Sequence, residues 1–275
     1  LRAAAVQLNS TNDRDRNLAT AERLVRAAAA DGAGLVALPE KWNLLAGGEE
    51  LRAGAEPLDG PSLSTARSWA EELGIHLLAG SISERTEGKA FNTSVLIGPE
   101  GDDLAVYRKI HLFDVEAGGV SYRESEHEQP GAEVVTAAVG DLVAGMSVCY
   151  DLRFPELYRI LTLQGALLIT VPSAFTAATG RDHWEVLLRA RAIENQVFLL
   201  APNQVGTAPP HYNSFGHSAI VDPWGTVLAV APDDECFVAA DLDLGAQART
   251  RESLPSLANR RPGAYVWPQL LEASA

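Results

Sequence analysis

Two cysteines stand in the chain, Cys149 and Cys236, and one of them has neighbours that could use its sulfur. The segment Leu142-Val-Ala-Gly-Met-Ser-Val-Cys-Tyr-Asp-Leu-Arg-Phe-Pro-Glu-Leu-Tyr158 passes from an apolar strand, through Cys149, into a helix that begins near Pro155. That order places a thiol on a sharp corner at the carboxyl edge of a sheet, close to backbone N–H groups that can receive an oxyanion. A thiol with an ordinary pKa of about 8.5 attacks poorly until a base raises its thiolate fraction, so cysteine chemistry needs a proton acceptor nearby. Without such company Cys149 reads as a small core hydrophobe.

Two further junctions offer that company. Leu35-Val-Ala-Leu-Pro-Glu40 puts Glu40 at the end of a buried strand, at an equivalent sheet edge from which it can face the thiol. Tyr107-Arg-Lys-Ile-His-Leu-Phe-Asp114 follows an extended stretch and presents Lys109, whose ammonium could stabilise the negative charge of a tetrahedral intermediate. Taken singly, each is an ordinary solvated surface residue. Their shared position at strand ends is what links them to Cys149.

The elements that must carry these residues alternate. Leu1 to Leu8, Gly34 to Leu38 and Leu167 to Val171 read as buried strands, being short, apolar and bounded by breakers. Asn17 to Ala30 carries Leu18, Ala21, Leu24, Val25 and Ala28 at three- and four-residue spacing, one apolar helical face. Ser64 to Leu73, Pro155 to Gln164 and His183 to Gln196 also read as helices. Ile75 to Ser83, Asn92 to Ile97 and Ser214 to Val221 read as extended, and Pro223-Trp-Gly225 as a hairpin turn. The expectation is an α/β fold with helices covering a mixed sheet.

Composition narrows the function. A chain of 275 residues, 47% hydrophobic, with no internal repeat and no polar linker, is expected to form one domain over 1–275, with an extended tail from about residue 258. A net charge of −14 and a pI near 4.8 oppose nucleic acid and anionic lipid as partners. No apolar run approaches the roughly 18 residues of a membrane span. The two cysteines lack the spacing of a zinc site or disulfide framework, which fits a reducing, cytoplasmic location.

The three junctions resemble the nitrilase superfamily of carbon–nitrogen hydrolases: Leu38-Pro-Glu40, Arg108-Lys-Ile-His111 and Val148-Cys-Tyr-Asp-Leu-Arg-Phe-Pro-Glu156 stand in that family's chain order. Pro172-Ser-Ala-Phe175, His183-Trp-Glu185, Arg189-Ala-Arg-Ala-Ile-Glu-Asn195, Gly216-His-Ser218 and Val221-Asp-Pro-Trp-Gly225 extend the likeness across nearly the whole chain. The resemblance implies a four-layer αββα sandwich that pairs into at least a homodimer through helices beside the cysteine corner. It implies Cys149 as nucleophile, Glu40 as general base, Lys109 as oxyanion stabiliser and proton donor, and the Tyr150 N–H as a second oxyanion donor, with no metal or other cofactor. A second glutamate that positions the lysine and water aligns with Glu124 in Val120-Ser-Tyr-Arg-Glu-Ser125, rather than with Glu126 or Glu128. His111, His183 and His217 take framework roles. Asp151 and Arg153 are expected to pair, Glu156 to support the following helix and Cys236 to pack.

Within the superfamily the segments look most like the amidase branch of omega-amidases and deaminated-glutathione amidases, which act on short carboxylate-bearing amides. Such a substrate needs a cation for its distal carboxylate. Arg181, in a Thr179-Gly-Arg-Asp-His183 segment that is either specificity-determining or a solvated loop, is the candidate, with Tyr150 and Phe175 as further substrate contacts. Gly118 stands where several relatives have proline and should open the loop between Lys109 and Glu124, so that Gly118→Pro narrows the substrate range with little loss of turnover on the smallest amides. Nitrile, N-carbamoyl or polyamine-amide hydrolysis remain alternatives with the same residues. A non-catalytic scaffold and a thiol redox protein are more remote ones.

Overall fold

The computed structural model describes residues 1–265. The chain opens with β1 (Arg2–Gln7), α1 (Arg14–Ala30), β2 (Leu35–Ala37), α2 (Gly48–Ala53) and α3 (Pro61–Leu73). β3 (His76–Leu78), β4 (Ile82–Thr86), β5 (Lys89–Ile97) and β6 (Asp103–Arg108) follow, then β7 (Asp114–Ala117) and β8 (Val120–Arg123). The second half runs through β9 (Thr136–Val139), β10 (Leu142–Met146), α4 (Pro155–Leu163), β11 (Leu168–Thr170), α5 (Ala177–Asn195) and β12 (Phe198–Ala201). It closes with β13 (Val205–Ala208), β14 (Tyr212–Phe215), β15 (Ala219–Val221), β16 (Val227–Val230), β17 (Cys236–Asp241) and α6 (Leu244–Ser253).

Two mixed sheets result. One runs β17-β1-β2-β3-β5-β4, with β6 also paired to β5; the other runs β16-β15-β12-β11-β10-β9. The parallel centres, β1-β2-β3 and β10-β11-β12, are joined through helices and extended by antiparallel edges. Strand β1 shows how the layers form. Its side chains alternate, Ala3 and Ala5 entering the core between the sheets while Ala4 and Val6 pack beneath α1 and α3. Because β1 is covered on both faces, no polar alternation marks it in the sequence. With α4 and α5 on the far side of the second sheet, the architecture is the four-layer αββα sandwich.

The small residues of β1 admit a close sheet-to-sheet contact, and glycine makes a second close approach possible. Gly80, between β3 and β4, has φ +43°, and a Cβ there would lie 2.0 Å from the Pro39 carbonyl oxygen. It splits the expected single extended stretch over 75–83 in two and lets the chain pass directly behind Glu40. Residues 214–221 likewise divide into β14 and β15 around Gly216 and His217, both at positive φ. The Pro223-Trp-Gly225 turn joins β15 to β16 as expected, with Asp222 Oδ1 accepting from the Trp224 and Thr226 N–H groups.

The structure departs from the sequence expectations at two segments. Helix α5 starts at Ala177, not His183, so Thr179–His183 is helical rather than a loop. Gly180 does not break it, because a Cβ there would fall 2.3 Å from the Phe215 ring, and its absence is what lets β14 lie against the helix. The segment around Gly118 is also no loose loop. It is the antiparallel β7-β8 hairpin, turned by Gly118 and Gly119 at φ +59° and +79°. Helix α6 carried no clear apolar periodicity and was not anticipated. Of the tail from about 258, Pro262–Ala264 forms a short 3-10 turn, and residues 266–275 lie outside the described residues. Among the described residues no helix is long and apolar enough to cross a membrane.

Candidate active site

Glu40 follows β2, Lys109 follows β6 and Cys149 follows β10, so three strand ends deliver three side chains to one place. Cys149 opens a short 3-10 turn (Cys149–Arg153) with φ +46°, a left-handed conformation that a non-glycine residue holds only when its surroundings enforce it. Two contacts do so. The Cys149 N–H donates to the Pro172 carbonyl at 2.9 Å, tying the corner to the end of β11. The carboxylate of Asp151, fully buried, accepts from the Val148 N–H at 2.8 Å and the Tyr107 hydroxyl at 2.7 Å through one oxygen. Its other oxygen takes the His111 N–H at 3.1 Å and sits 2.7 Å from His111 Nδ1. The turn that carries Cys149 is thus bolted to the strand that leads into Lys109.

Asp151 therefore does not pair with Arg153, as the sequence suggested. Both of its oxygens face the Tyr107 to His111 segment, and the Arg153 guanidinium lies instead 3.2 Å from His183 Nδ1 and over the Phe175 ring. His111 stacks face to face on Phe154 with ring centroids 3.6 Å apart. His217 has its Nδ1 3.1 Å from the Phe215 carbonyl oxygen, while its own carbonyl accepts from the Trp184 indole. These are framework contacts. Glu156 makes no capping hydrogen bond, and its charge sits in the first turn of α4, where a carboxylate favours the helix.

Lys109 is 2% exposed and clamped between two carboxylates. Its Nζ lies 3.0 Å from Glu40 Oε1, and 3.1 and 2.8 Å from the two oxygens of Glu124. Burial opposes its charge, but the charges of Glu124 and Glu40 outweigh that and hold the ammonium well above its ordinary value. Glu124 is held below the usual carboxylate range, since Lys109 and Lys41 together overcome the effect of burial. Its Oε2 also accepts from the Phe113 N–H at 2.6 Å, the point at which the β7-β8 hairpin returns. Glu40 Oε2 accepts from the Ala174 N–H at 2.8 Å, and the Glu40 carbonyl is held by Gln204.

Burial, and then the charge of Glu40, push the Cys149 thiol well above its ordinary value, with Lys109 offsetting only part. A reaction that uses this sulfur as a nucleophile has to move the thiol proton to a neighbour, and Glu40, whose charge acts on the thiol, is a carboxylate placed to take it. A cavity of about 490 Å³, within the usual range for small-molecule sites, is lined by Glu40, Lys109, Glu124 and Cys149 together with Phe113, Tyr122 and Tyr212. A second, much smaller space shares Phe113, Cys149, Ala174 and Thr176 with this cavity and is lined further by Tyr150, Arg153, Phe175 and Thr179. Arg181 is exposed on α5 and lines neither, because the helix begins six residues earlier than expected and carries it away from the opening. Among the described residues no group of three or more His, Cys, Asp or Glu side chains converges in a way that could hold a metal ion.

Three polar residues of the site were not read from the sequence. Asn92, on β5, donates through Nδ2 to both Glu40 and Glu124. Lys41 and Glu128 form a buried ion pair in the cavity wall, and Ser83 hydrogen-bonds both. Burial raises the Glu128 carboxyl above the usual range; Lys41 opposes this and the charge of Glu124 adds to it. One signal was present for Asn92. Asparagine is unfavourable in a strand, and Asn92 opens the extended stretch that runs into the apolar Val95-Leu-Ile97, so it asks for a buried partner.

Comparison with known proteins agrees with this architecture. Residues 2–252 match the carbon–nitrogen hydrolase family. The chain is 38% identical over 266 residues to the human omega-amidase NIT2, covering 96% of both chains. It is 40% identical over 264 residues to a deaminated glutathione amidase of Synechocystis, covering 94% of this chain and 97% of that one. The crystal structure of the C. elegans NitFhit protein superimposes with a TM-score of 0.89 at 34% identity, over 96% of this chain and 66% of that one. From fold, site geometry and these likenesses together, the chain belongs to the carbon–nitrogen hydrolase family, the nitrilase superfamily, in the amidase branch related to omega-amidases and deaminated-glutathione amidases.

Proposed function

We propose that the chain hydrolyses the terminal amide of a short, carboxylate-bearing compound to acid and ammonia through a Cys149 thioester. The observation that carries this reading is the Glu40–Lys109–Glu124 clamp beside the buried Cys149 thiol at the wall of a small-molecule cavity. Glu40 Oε2, with a single donor on it, accepts the thiol proton as sulfur attacks the amide carbon. The developing oxyanion meets Lys109 Nζ and the Tyr150 N–H, since the Cys149 N–H is already committed to Pro172. Collapse returns the proton from Glu40 to the departing nitrogen and leaves the thioester. Water then gives its proton to Glu40 and attacks the thioester, and the leaving sulfur is reprotonated. Glu124 keeps Lys109 charged and placed throughout.

The omega-amidase and deaminated glutathione amidase names of the relatives support a carboxylate-bearing substrate. In this chain Arg153, beside Cys149 and with no carboxylate within salt-bridge distance among the described residues, is better placed than Arg181 to receive the distal carboxylate. Ile160, Leu163, Val186 and Ile193 stand exposed on α4 and α5, an apolar surface that supports pairing of two copies through these helices. A reducing cytoplasmic location suits a reaction that depends on a free thiol.

Ammonia release over omega-amides of keto acids, short aliphatic amides, carbamoyl amino acids and nitriles tests the reading. Turnover confined to carboxylate-bearing amides, with a KM raised at least tenfold by Arg153→Met, supports it. Preference for nitriles or carbamoyl compounds transfers the site to one of those reactions.

A further inference from the structure

Asn92 makes a contact that the reaction described above does not explain. It is 1% exposed, at the inward-facing centre of β5, and its backbone carbonyl accepts the Lys109 N–H at 2.8 Å. One Nδ2 hydrogen goes to Glu40 Oε1 and the other to Glu124 Oε1, each at 2.8 Å. Those two oxygens also receive Lys109 Nζ, at 3.0 and 3.1 Å. Two donors therefore bridge the same two acceptors, the ammonium and the amide closing a four-membered ring of groups. The amide cannot be turned over, because its oxygen would then face two carboxylate oxygens. Its Oδ1 is buried with no hydrogen-bond partner, an unfavourable arrangement that persists because both amide hydrogens are committed to the carboxylates.

Electrostatics gives that geometry a consequence. Two carboxylates sharing one ammonium carry a net charge of −1, to which the neighbouring Lys41–Glu128 ion pair adds none, and with Glu40 and Lys109 almost wholly buried such like charges favour uptake of a proton by one of them. A second lysine in place of Asn92 would neutralise the pair, but would also compete with Lys109 and hold Glu40 too firmly to accept a proton. A neutral double donor favours the ionised form of both acids and adds no charge. We infer that Asn92 is a positioning residue that holds Glu40 and Glu124 ionised together, so that Glu40 meets the Cys149 thiol as an empty base.

This inference rests on Glu40 serving as the base for Cys149, and its test needs no amide substrate. The rate of Cys149 alkylation by iodoacetamide is measured against pH, with Cys149→Ala as the blank for Cys236. Asn92→Asp keeps the shape and replaces a donor by an acceptor that finds no hydrogen-bond donor of its own. It is expected to move the acid limb of the alkylation profile to higher pH by about one unit or more, about tenfold in rate on that limb. Asn92→Ala, which removes both donors, is expected to move the limb in the same direction by less. An unmoved limb in either folded variant, whatever its melting temperature or specific activity, overturns the inference, since a merely structural Asn92 would change the amount of active protein and not its pH dependence. Should both variants fail to fold, wild type decides by infrared difference against Glu40→Gln at neutral pH. Loss of an ionised carboxylate band is expected there, and loss of a protonated carboxyl band overturns the inference. Failure of amide turnover alone, with the limb shifted, would count against the proposed substrate and leave the role of Asn92 standing.

Discussion

Asp151→Asn is the perturbation whose outcome can be worked most fully from the geometry. Each Asp151 oxygen faces two donors: the Val148 N–H and Tyr107 hydroxyl on one side, the His111 N–H and ring Nδ1 on the other. The asparagine amide can turn its oxygen to one side only. If the NH₂ faces the Tyr107 side, that hydroxyl rotates to accept but the Val148 N–H is stranded. If it faces the His111 side, the ring changes tautomer to accept but the His111 N–H is stranded. Either way one buried backbone N–H loses its partner and the remaining bonds lose charge assistance, a total of about 3 kcal/mol. For a chain of this size, that lowers the melting temperature by about 6–12 °C. The left-handed corner at Cys149 is held partly through Val148, so alkylation of Cys149 should also slow, by about tenfold or more. Arg153→Ala should leave the melting temperature within about 2 °C of wild type, since the half-buried Arg153 has no part in the Asp151 network. Calorimetry on both variants decides. Equal losses in the two would restore an Asp151–Arg153 pairing, and an unchanged Asp151→Asn melt would refute the bolt between the Cys149 and Lys109 segments.

Further outcomes follow from the same geometry. Lys41→Met strands Glu128 in the cavity wall and should destabilise the protein by about 3 kcal/mol at neutral pH. Because burial already raises the folded-state affinity of Glu128 for its proton, the folded form binds more protons than the unfolded one above the ordinary carboxylate range, and the stability contributed by this group falls as pH rises through that window. The Lys41→Met deficit should therefore shrink between about pH 7.5 and about pH 5 in denaturant titrations; a deficit that grows toward acid would contradict the assignment. Gly118→Pro cannot adopt φ +59°, so it should disrupt the β7-β8 turn and depress kcat on every amide through Glu124, rather than narrow the substrate range; retained turnover on the smallest amides would contradict this. Glu124→Gln should lower kcat about a hundredfold with little change in KM, because it loosens Lys109 and not the substrate; a change confined to KM would place Glu124 in binding instead.

What could be read beforehand depended on whether a residue advertises its environment in its own segment. Glu40 and Cys149 each follow an apolar strand and Lys109 follows the extended stretch that ends at Arg108; singly each reads as an ordinary residue, and their shared place at strand ends is what made them legible. Glu124 was separable from Glu126 and Glu128 only by likeness to the family motif. Physically the hairpin return at Phe113 brings its carboxylate back beside Lys109, which no local pattern announces. Glu128 figures in the sequence only as a neighbour set aside in favour of Glu124, yet it is 3% exposed and paired with a lysine 87 positions away in the chain. Arg153 was given to Asp151 on sequence proximity, whereas the short 3-10 turn directs Asp151 toward Tyr107 and His111. The start of α5 lies six residues before the expected His183, and the close contact of Gly180 with Phe215, a long-range feature, accounts for the glycine inside the helix. The buried strands β1, β2 and β11 followed from hydrophobic runs, whereas the short, half-exposed strands of the β7-β8 hairpin did not. The partner across each sheet, and hence Asn92 between two carboxylates, required the register of β5 against β6 and the neighbouring strand ends.

The most direct test of the central claim is intact-protein mass spectrometry after acid quench of a single turnover with an omega-amide. The account requires a transient adduct with the mass of the acyl group, mapped by peptide digestion to Cys149, absent in Cys149→Ala and accumulating when Glu40→Gln slows deacylation more than acylation. Ammonia release that persists in Cys149→Ala, or turnover with no adduct on Cys149 at any quench time, would contradict it.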